Sequence, residues 1–100
     1  MFWCNIFHDK KDLVVVVCDE ELLGKKLKFK EKGITIEVSE KFYGGKLVDE
    51  SVVLKLLQKA TIANLMGKKI VELASKNGFI AEENIILIDG VPHAQFIKLI

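Results

Sequence analysis

Two β-rich runs open the chain, residues 2–8 (FWCNIFH) and residues 13–18 (LVVVVC), with the polar turn 9–12 between them. Such runs around a short polar turn predict an antiparallel hairpin. The unbroken valine run predicts a strand that is covered on both faces or is central in its sheet. Residues 19–24 are expected to form one helical turn that Gly24 closes.

Apolar and charged residues then alternate strictly over residues 26–30 (KLKFK), and a second alternation covers residues 34–38 (ITIEV). These periods of two predict a second hairpin with one solvated face. That face carries Lys26, Lys28 and Lys30. Residues 39–46 (SEKFYGGK) are expected to form a loop, because the two adjacent glycines permit backbone angles that other residues avoid.

The apolar residues of the next segment recur with the period of a helix. Asp49 is positioned as the N-cap of a helix, and apolar residues keep helical spacing over 53–74. Asn77–Gly78 then forms a C-terminal signal. One straight helix over residues 50–77 would extend about 42 Å, which is long for a chain of this size, so we expect a bend near Thr61.

Residues 84–88 and 94–99 are predicted to be the last two strands, with a turn at Asp89–Gly90 between them. These elements predict a single domain over residues 1–100. Its class is α/β (α+β), a two-layer sandwich in which a mixed or antiparallel sheet packs against a bent helical segment.

Composition narrows the functional classes. Half of the residues are hydrophobic, the net charge is +1, and every one of the 15 basic residues is lysine. Without the planar fork of arginine, sequence-specific reading of nucleic acid is not expected. The chain lacks a basic leader and a run of apolar residues long enough for a membrane span, so we expect a cytoplasmic protein with reduced thiols.

The two cysteines, Cys4 and Cys18, lie in the two strands of the first hairpin. They are opposed if paired positions sum to 22. They lie on opposite faces if the sum is 21, as a two-residue turn at Lys10–Lys11 requires. In either register, two buried structural thiols are the expected outcome.

The segment 90–95 (GVPHAQ) is the most suggestive for function, because it places His93 and Gln95 on one face of an extended chain. Other candidates for contact with a ligand or partner lie near the helical stripe and in the glycine loop: Asn64, Tyr43, Gly44 and Gly45. For each of these residues the alternative interpretation is structural, as a cap, a turn or a hydrogen bond that fastens the fold. No nucleophile, metal-ligand spacing or phosphate loop accompanies them, so we assign no catalytic residue, metal or cofactor.

The lysine row 26, 28, 30 also has two interpretations. It is typical of the solvated face of a strand, and the functional alternative is weak contact with an RNA backbone. In the second interpretation Lys25, Lys32 and Lys46 would assist.

Five segments occur in an order that resembles the archaeal "domain of unknown function" 424 family. They are residues 18–25 (CDEELLGK), 42–45 (FYGG), 60–65 (ATIANL), Gly67, and 90–95 (GVPHAQ). The resemblance extends over nearly the whole chain. It implies a small two-layer α/β protein and an association with the translation apparatus, and it implies no activity.

Three hypotheses follow. The favoured one is a non-enzymatic binding module that acts on RNA or on a protein of the translation machinery. The second is a small-molecule binder or enzyme that uses Asn64, His93 and Gln95, and the third is a subunit of a structural homo-oligomer. The second hypothesis requires its side chains to meet on one surface.

Overall fold

A computed structural model describes residues 1–99. Strands and helices are numbered here in chain order. The strands are β1 Phe2–Asp9, β2 Asp12–Asp19, β3 Lys26–Phe29, β4 Ile34–Glu37, β5 Lys46–Val48, β6 Ile62–Met66, β7 Ile86–Ile88 and β8 Val91–Ile97. The helices are α1 Glu40–Tyr43, α2 Glu50–Lys59 and α3 Lys68–Lys76, and single 3₁₀ turns cover Glu20–Leu22, Lys30–Lys32 and Glu82–Asn84.

Six strands form a mixed sheet in the order β5-β1-β2-β6-β8-β7, and β3 pairs with β4 in a separate two-stranded sheet. β2 and β6 run parallel, whereas the other neighbours pair antiparallel. The parallel pair arises because α2 carries the chain from the end of β5 back to the start of β6. The α/β class predicted from the sequence is confirmed.

The two faces of the six-stranded sheet have different covers. The helix face, which carries Val15, Val17, Ala63 and Leu65, packs against α2 and α3 in one apolar cluster. The hairpin face, which carries the alternate residues of the same strands, packs against the β3–β4 hairpin and Tyr43 of α1. The valine run of β2 is therefore covered on both faces, as its composition predicts.

The bent helix expected over residues 50–77 is wrong, because strand β6 interrupts it. Helix α2 ends at Lys59, β6 occupies Ile62–Met66, and α3 starts at Lys68. Ala63 and Leu65 are buried on the helix face, while Asn64 is half-buried on the other face. Small residues spaced by three or four positions are compatible with the buried face of a helix. The alternation of buried and half-buried residues around Asn64, however, is that of a strand.

The loop expected over residues 39–46 is also wrong in part, since it contains α1 and the first residue of β5. The Ser39 hydroxyl caps α1 by accepting from the N–H of Phe42 at 3.2 Å. The chain then turns at Gly44, and Gly45 lies directly against β1, where a Cβ atom would collide with the Cys4 carbonyl. This close approach explains a glycine at position 45.

The predicted caps and hairpins are otherwise confirmed, except that the last two strands are Ile86–Ile88 and Val91–Ile97 rather than residues 84–88 and 94–99. Asp49 Oδ1 accepts from the N–H of Val52 at 3.0 Å and starts α2. After α3 the chain reverses at Gly78, whose φ is 76°, and the N–H of Phe79 donates to the carbonyl of Ala74 at 2.9 Å. The β3–β4 hairpin forms a sheet of its own and covers the larger sheet.

Asp19, a residue to which the sequence assigns no individual role, joins the end of β2 to the start of α3. Its side chain is 2% exposed, and its two oxygens accept from the N–H groups of Lys69 at 2.9 Å and Ile70 at 2.8 Å. Gly67 precedes α3 at a φ of 129°, where any Cβ would collide with this carboxyl group. Burial raises the pKa of Asp19, and the two backbone hydrogen bonds oppose that shift.

The cysteines follow the register whose paired positions sum to 21, since Cys4 pairs with Val17 and Trp3 with Cys18. Cys4 therefore lies on the helix face and Cys18 on the hairpin face. Burial raises the pKa of Cys4 to about 11 and that of Cys18 to about 12, so both remain protonated thiols near neutral pH.

No helix within residues 1–99 is long and apolar enough to cross a membrane.

Candidate functional site

Tyr43 and Asn64 form the first part of the site on the hairpin face. Tyr43 is the last residue of α1, and its hydroxyl donates to Asn64 Oδ1 at 2.5 Å. The ring is 4% exposed, and burial raises the pKa of its hydroxyl, which therefore remains a neutral donor. By occupying Oδ1, this bond fixes the orientation of the Asn64 amide and leaves its NH₂ group as a donor.

Gln95 lies directly opposite Asn64 across the antiparallel pair of β6 and β8. Opposed residues of neighbouring strands point to the same face, so the two amides are adjacent. Asn64 is half-buried and Gln95 is exposed. Two amides side by side offer both donors and acceptors to a molecule that reaches this part of the hairpin face.

His93 completes the group, two residues before Gln95 and opposite Met66. Its Nε2 is 3.3 Å from Gln95 Nε2. The side chain is 9% exposed, and its Nδ1 has no hydrogen-bond partner of good geometry in the described chain. Burial lowers the pKa of His93, an effect that the Leu65 backbone opposes in part, so the neutral imidazole is favoured near pH 7.

The structure thus brings four of the six predicted contact residues together, and we refer to Tyr43, Asn64, His93 and Gln95 as the amide cluster. The two glycines lie beside it rather than within it. Gly44 ends α1, where its N–H donates to the carbonyl of Glu40 at 2.8 Å, and Gly45 packs on β1. Their role is to turn the chain so that Tyr43 reaches the sheet.

The lysine row lies elsewhere. Lys26 and Lys28 are on β3, whereas Lys30 lies in the 3₁₀ turn that follows and not in the strand that the alternation predicted. Lys26, Lys28 and Lys30 are all exposed, and the buried side of the hairpin carries Leu27. The N–H of Lys28 donates to Asp89 Oδ2 at 3.1 Å, which ties the hairpin to the turn before β8. The lysines are therefore not part of the amide cluster.

A row of apolar residues borders the amide cluster on its open side, and sequence reasoning did not identify it. The strand registers place its members side by side on the hairpin face: Phe7, Val14, Ile62 and Ile97. We call these four residues the apolar row. Phe7 is 37% exposed and Ile97 is 65% exposed. Phe42 extends the row by stacking on Phe7 with ring centroids 5.7 Å apart and planes 19° apart.

The alternation of residues in the first hairpin already places Phe7 on the same face as Trp3 and Asn5. Recognising the whole row requires the register of four strands, which distant pairing decides. The apolar row could therefore not be predicted, because residues 62–66 were not recognised as a strand.

The side chains at this site can both donate and accept hydrogen bonds. Within the described chain, the side-chain hydrogen bonds of the amide cluster join its own members. The imidazole is neutral and buried, and the tyrosine hydroxyl is held as a donor. No group of three or more potential metal ligands occurs among residues 1–99.

Comparison with known proteins supplies the family. A family model described as "Protein of unknown function (DUF424)" matches residues 7–99. The crystal structure of an uncharacterized conserved protein from Methanopyrus kandleri is similar to this one, with 28% sequence identity and a TM-score of 0.80. The similarity covers 98% of this chain and 93% of that one. A comparison with curated proteins gave no match.

Proposed function

We propose that this chain, which belongs to the family described as "Protein of unknown function (DUF424)", is a non-enzymatic binding module. The description of that family names no activity. The ligand group of this module is planar and uncharged, and it carries both a hydrogen-bond donor and an acceptor on one edge. The amide cluster hydrogen-bonds to this edge of the ligand group, and the apolar row contacts its flat surface.

The observation that carries this proposal is the hydrogen bond from the Tyr43 hydroxyl to Asn64 Oδ1. The bond orients one amide, and the strand register places the second amide, Gln95, next to it. Preorganised polar groups lose little conformational entropy when a ligand binds, which is the general advantage of a rigid site. A pair of amides on adjacent strands meets this requirement better than the same residues on mobile loops.

A nucleobase is the ligand group that this combination fits best. Asparagine and glutamine amides hydrogen-bond to base edges, and apolar or aromatic side chains pack on the faces of bases. Ile62 and Ile97 offer apolar surface beside the amides, and the stacked pair of Phe7 and Phe42 continues it toward β1. A base could come from a free nucleoside or from a single-stranded nucleic acid, and the experiment below separates these sources.

The test follows the side-chain NH₂ resonances of Asn64 and Gln95 while the four common ribonucleosides and a short single-stranded RNA are added in turn. We expect at least one base to shift these resonances, and we expect the Q95A variant to lose the effect at Asn64 as well. K28A is the matched control, because Lys28 is exposed and lies outside the amide cluster. If no base perturbs either amide at millimolar concentration, the proposal is wrong.

A second candidate function is weak binding of an RNA backbone by the lysine row, with the translation apparatus as the source of that RNA. The observation that favours it is the exposure of Lys26 and Lys28 on β3 and of Lys30 in the turn that follows. Lysine contacts of this kind are electrostatic and fall steeply as salt increases.

Its test is a titration of labelled single-stranded RNA and of ribosomal subunits at low and at physiological salt. We expect binding that weakens with salt and that a triple K26E/K28E/K30E variant removes, while Q95A leaves it intact. RNA binding that Q95A removes and the triple variant keeps would instead assign the RNA to the amide cluster.

A further inference from the structure

The outer edge of β8, the side that faces away from β6, is paired for only part of its length. β7 pairs with residues 91–93, and its first residue, Ile86, is opposite His93. In the part of the chain that the structure describes, no strand continues this ladder beside Gln95 and Ile97. An open strand edge presents main-chain donors and acceptors at the spacing of another strand.

One hydrogen bond shows which main-chain groups of β8 point outward. The N–H of Lys98 donates to the carbonyl of Thr61 at 2.7 Å, and the strand register places these two residues opposite each other. Bonded pairs alternate along an antiparallel ladder, so the even-numbered residues of β8 bond to β6. The N–H and C=O groups of Gln95 and Ile97 therefore point away from β6, toward the open edge.

These outward groups are complementary to the same groups of a second copy. If two β8 strands pair antiparallel about a two-fold axis at Phe96, Gln95 of each copy lies opposite Ile97 of the other. Each such pair exchanges two main-chain hydrogen bonds, so four bonds satisfy all the outward groups of both residues in both chains. A two-fold interface requires this self-complementarity, because every contact in it occurs twice.

The charges around this edge also permit self-pairing. Residues 91–97 (VPHAQFI) contain no Asp, Glu, Lys or Arg. Lys98 follows them, and its Nζ donates to the carbonyls of Leu57 and Gln58 at 3.1 and 2.8 Å. In the two-fold register Lys98 is opposite Ala94, so no like charges meet. Charged residues usually protect an open strand edge from pairing with another chain, and this edge has none.

A pocket and an exposed leucine complete the complementarity. The pocket has a volume of about 330 Å³ and is lined by Asn84, Ile86, His93, Ala94 and Gln95. In the two-fold register, Leu99 of the second copy is opposite His93 and on the same face of the sheet. Leu99 is 94% exposed in the single chain. Because β8 ends at Ile97, the second strand ends before it meets β7, and Leu99 follows it into the pocket.

We infer that the outer edge of β8 pairs with the same edge of a second copy of this chain, in a two-fold dimer that joins two six-stranded sheets edge to edge. Main-chain hydrogen bonds join Gln95 of each copy to Ile97 of the other, and Leu99 of each copy occupies the pocket of the other. The paired segment is short, so the dimer belongs to the weakly associating class. The contact uses main-chain groups at the sheet edge and does not depend on the proposed function of the amide cluster.

The test measures self-association of the full chain by sedimentation equilibrium at protein concentrations up to about 1 mM, where weak but specific association is detected. We expect a monomer–dimer equilibrium. The backbone amide resonances of Gln95 and Ile97 should shift as the protein concentration increases, because their N–H groups gain acceptors in the dimer. A chain that remains monomeric at about 1 mM would overturn the inference and leave the edge to a partner of another kind.

The variant I97P tests the main-chain contact. It removes one outward N–H and leaves the β6–β8 ladder intact, because proline is tolerated where its nitrogen faces away from the partner strand. By symmetry the dimer loses two of its four main-chain hydrogen bonds, so its dissociation constant should increase at least about ten-fold. The matched variant I97V keeps the N–H and an apolar side chain, and it should dimerise like the unchanged chain.

The variant L99K tests the pocket, because it brings a charge into a site that the inference assigns to an apolar side chain. It should also increase the dissociation constant at least about ten-fold. I34K is the matched control, since Ile34 is 52% exposed on β4, outside the contact, and the change in net charge is the same. It should dimerise like the unchanged chain.

Circular dichroism and thermal unfolding show whether I97P and L99K are folded. Leu99 is almost fully exposed, so L99K keeps the inference testable even if I97P does not fold. A dimer that persists in either folded variant would place the contact elsewhere on the chain and contradict the inference. The same contradiction would follow if I34K weakened the dimer as much as L99K.

Discussion

The two faces of one sheet differ in how completely they are covered. The helix face is closed by α2 and α3, and Val15, Leu57, Leu65 and Ile70 at its centre are fully buried. The hairpin face is covered in part by the β3–β4 hairpin, by Tyr43 and by Leu22 of the first 3₁₀ turn. The amide cluster lies at the border of this cover, and the partly exposed apolar row lies beside it. The same strands therefore bury a core on both faces, and only the hairpin face combines its core with the partly open surface on which we propose binding.

The largest effect is expected from a cavity on the helix face. Leu65 is fully buried there, between the sheet and the helices. We expect L65A to lower the free energy of unfolding by about 2–5 kcal/mol, because truncation removes buried surface and leaves space that a rigid core cannot refill. Urea unfolding of L65A and of the unchanged chain measures the difference. An effect under about 1 kcal/mol would mean that the helix face is not the tightly packed side.

The next largest effect is expected from Asp19, which ends β2 and bonds to the first turn of α3. D19A removes both hydrogen bonds to the first turn of α3 and leaves the N–H groups of Lys69 and Ile70 without that acceptor. We expect a loss of about 2–3 kcal/mol in the free energy of unfolding.

E21A is the control for D19A, since Glu21 is exposed and two residues away. It should change stability by less than about 0.5 kcal/mol. Equal effects of D19A and E21A would contradict the capping role of Asp19.

The surroundings of Leu65 and Asp19 show which features of the fold can be predicted from the sequence and which cannot. Two β-rich runs around a polar turn predict the first hairpin, and hydrophobic alternation predicts the second. The Asp49 cap is also a local signal that the structure confirms. The strand around Asn64 is not local, because Ala63 and Leu65 gain their burial only when β6 enters the sheet between β2 and β8. The same holds for Asp19, which meets its partners 50 and 51 residues further along the chain. The amide cluster residues were predicted individually, but their adjacency depends on that non-local pairing.

A smaller effect is expected within the amide cluster. Y43F removes the hydroxyl that donates to Asn64 Oδ1 and keeps the buried ring. We expect stability to fall by about 0.5–1.5 kcal/mol, the usual net contribution of one hydrogen bond. The Asn64 side-chain NH₂ resonances should also broaden or move, because the amide is no longer held in one orientation. A Y43F spectrum identical to that of the unchanged chain would show that this bond does not orient Asn64.

His93 should make the stability of the hairpin face depend on pH. Burial lowers its pKa below the unfolded value of 6.5, so in the range between the two the unfolded chain binds a proton that the folded chain does not. Stability is therefore complete above about pH 6.5 and falls as the pH decreases toward the folded pKa, with a slope of at most about 1.4 kcal/mol per pH unit.

Urea unfolding at several pH values between about 5 and 8, the region around the ordinary histidine pKa, measures this dependence. The H93N variant should lack the part of this pH dependence that arises from His93. H8N is the matched control, because His8 is exposed at the end of the first hairpin, and it should keep the profile of the unchanged chain. If H93N also keeps that profile, burial of His93 is not its cause.

The smallest effect on stability is expected from the apolar row, and this separates the two faces most sharply. Ile97 is 65% exposed at the end of the row, so I97S removes little buried surface and should change the free energy of unfolding by less than about 0.5 kcal/mol. The same variant should weaken binding of whichever base shifts the Asn64 and Gln95 resonances, because the base then loses apolar surface beside the amides. A large loss of stability without any change in binding would show that the apolar row belongs to the core.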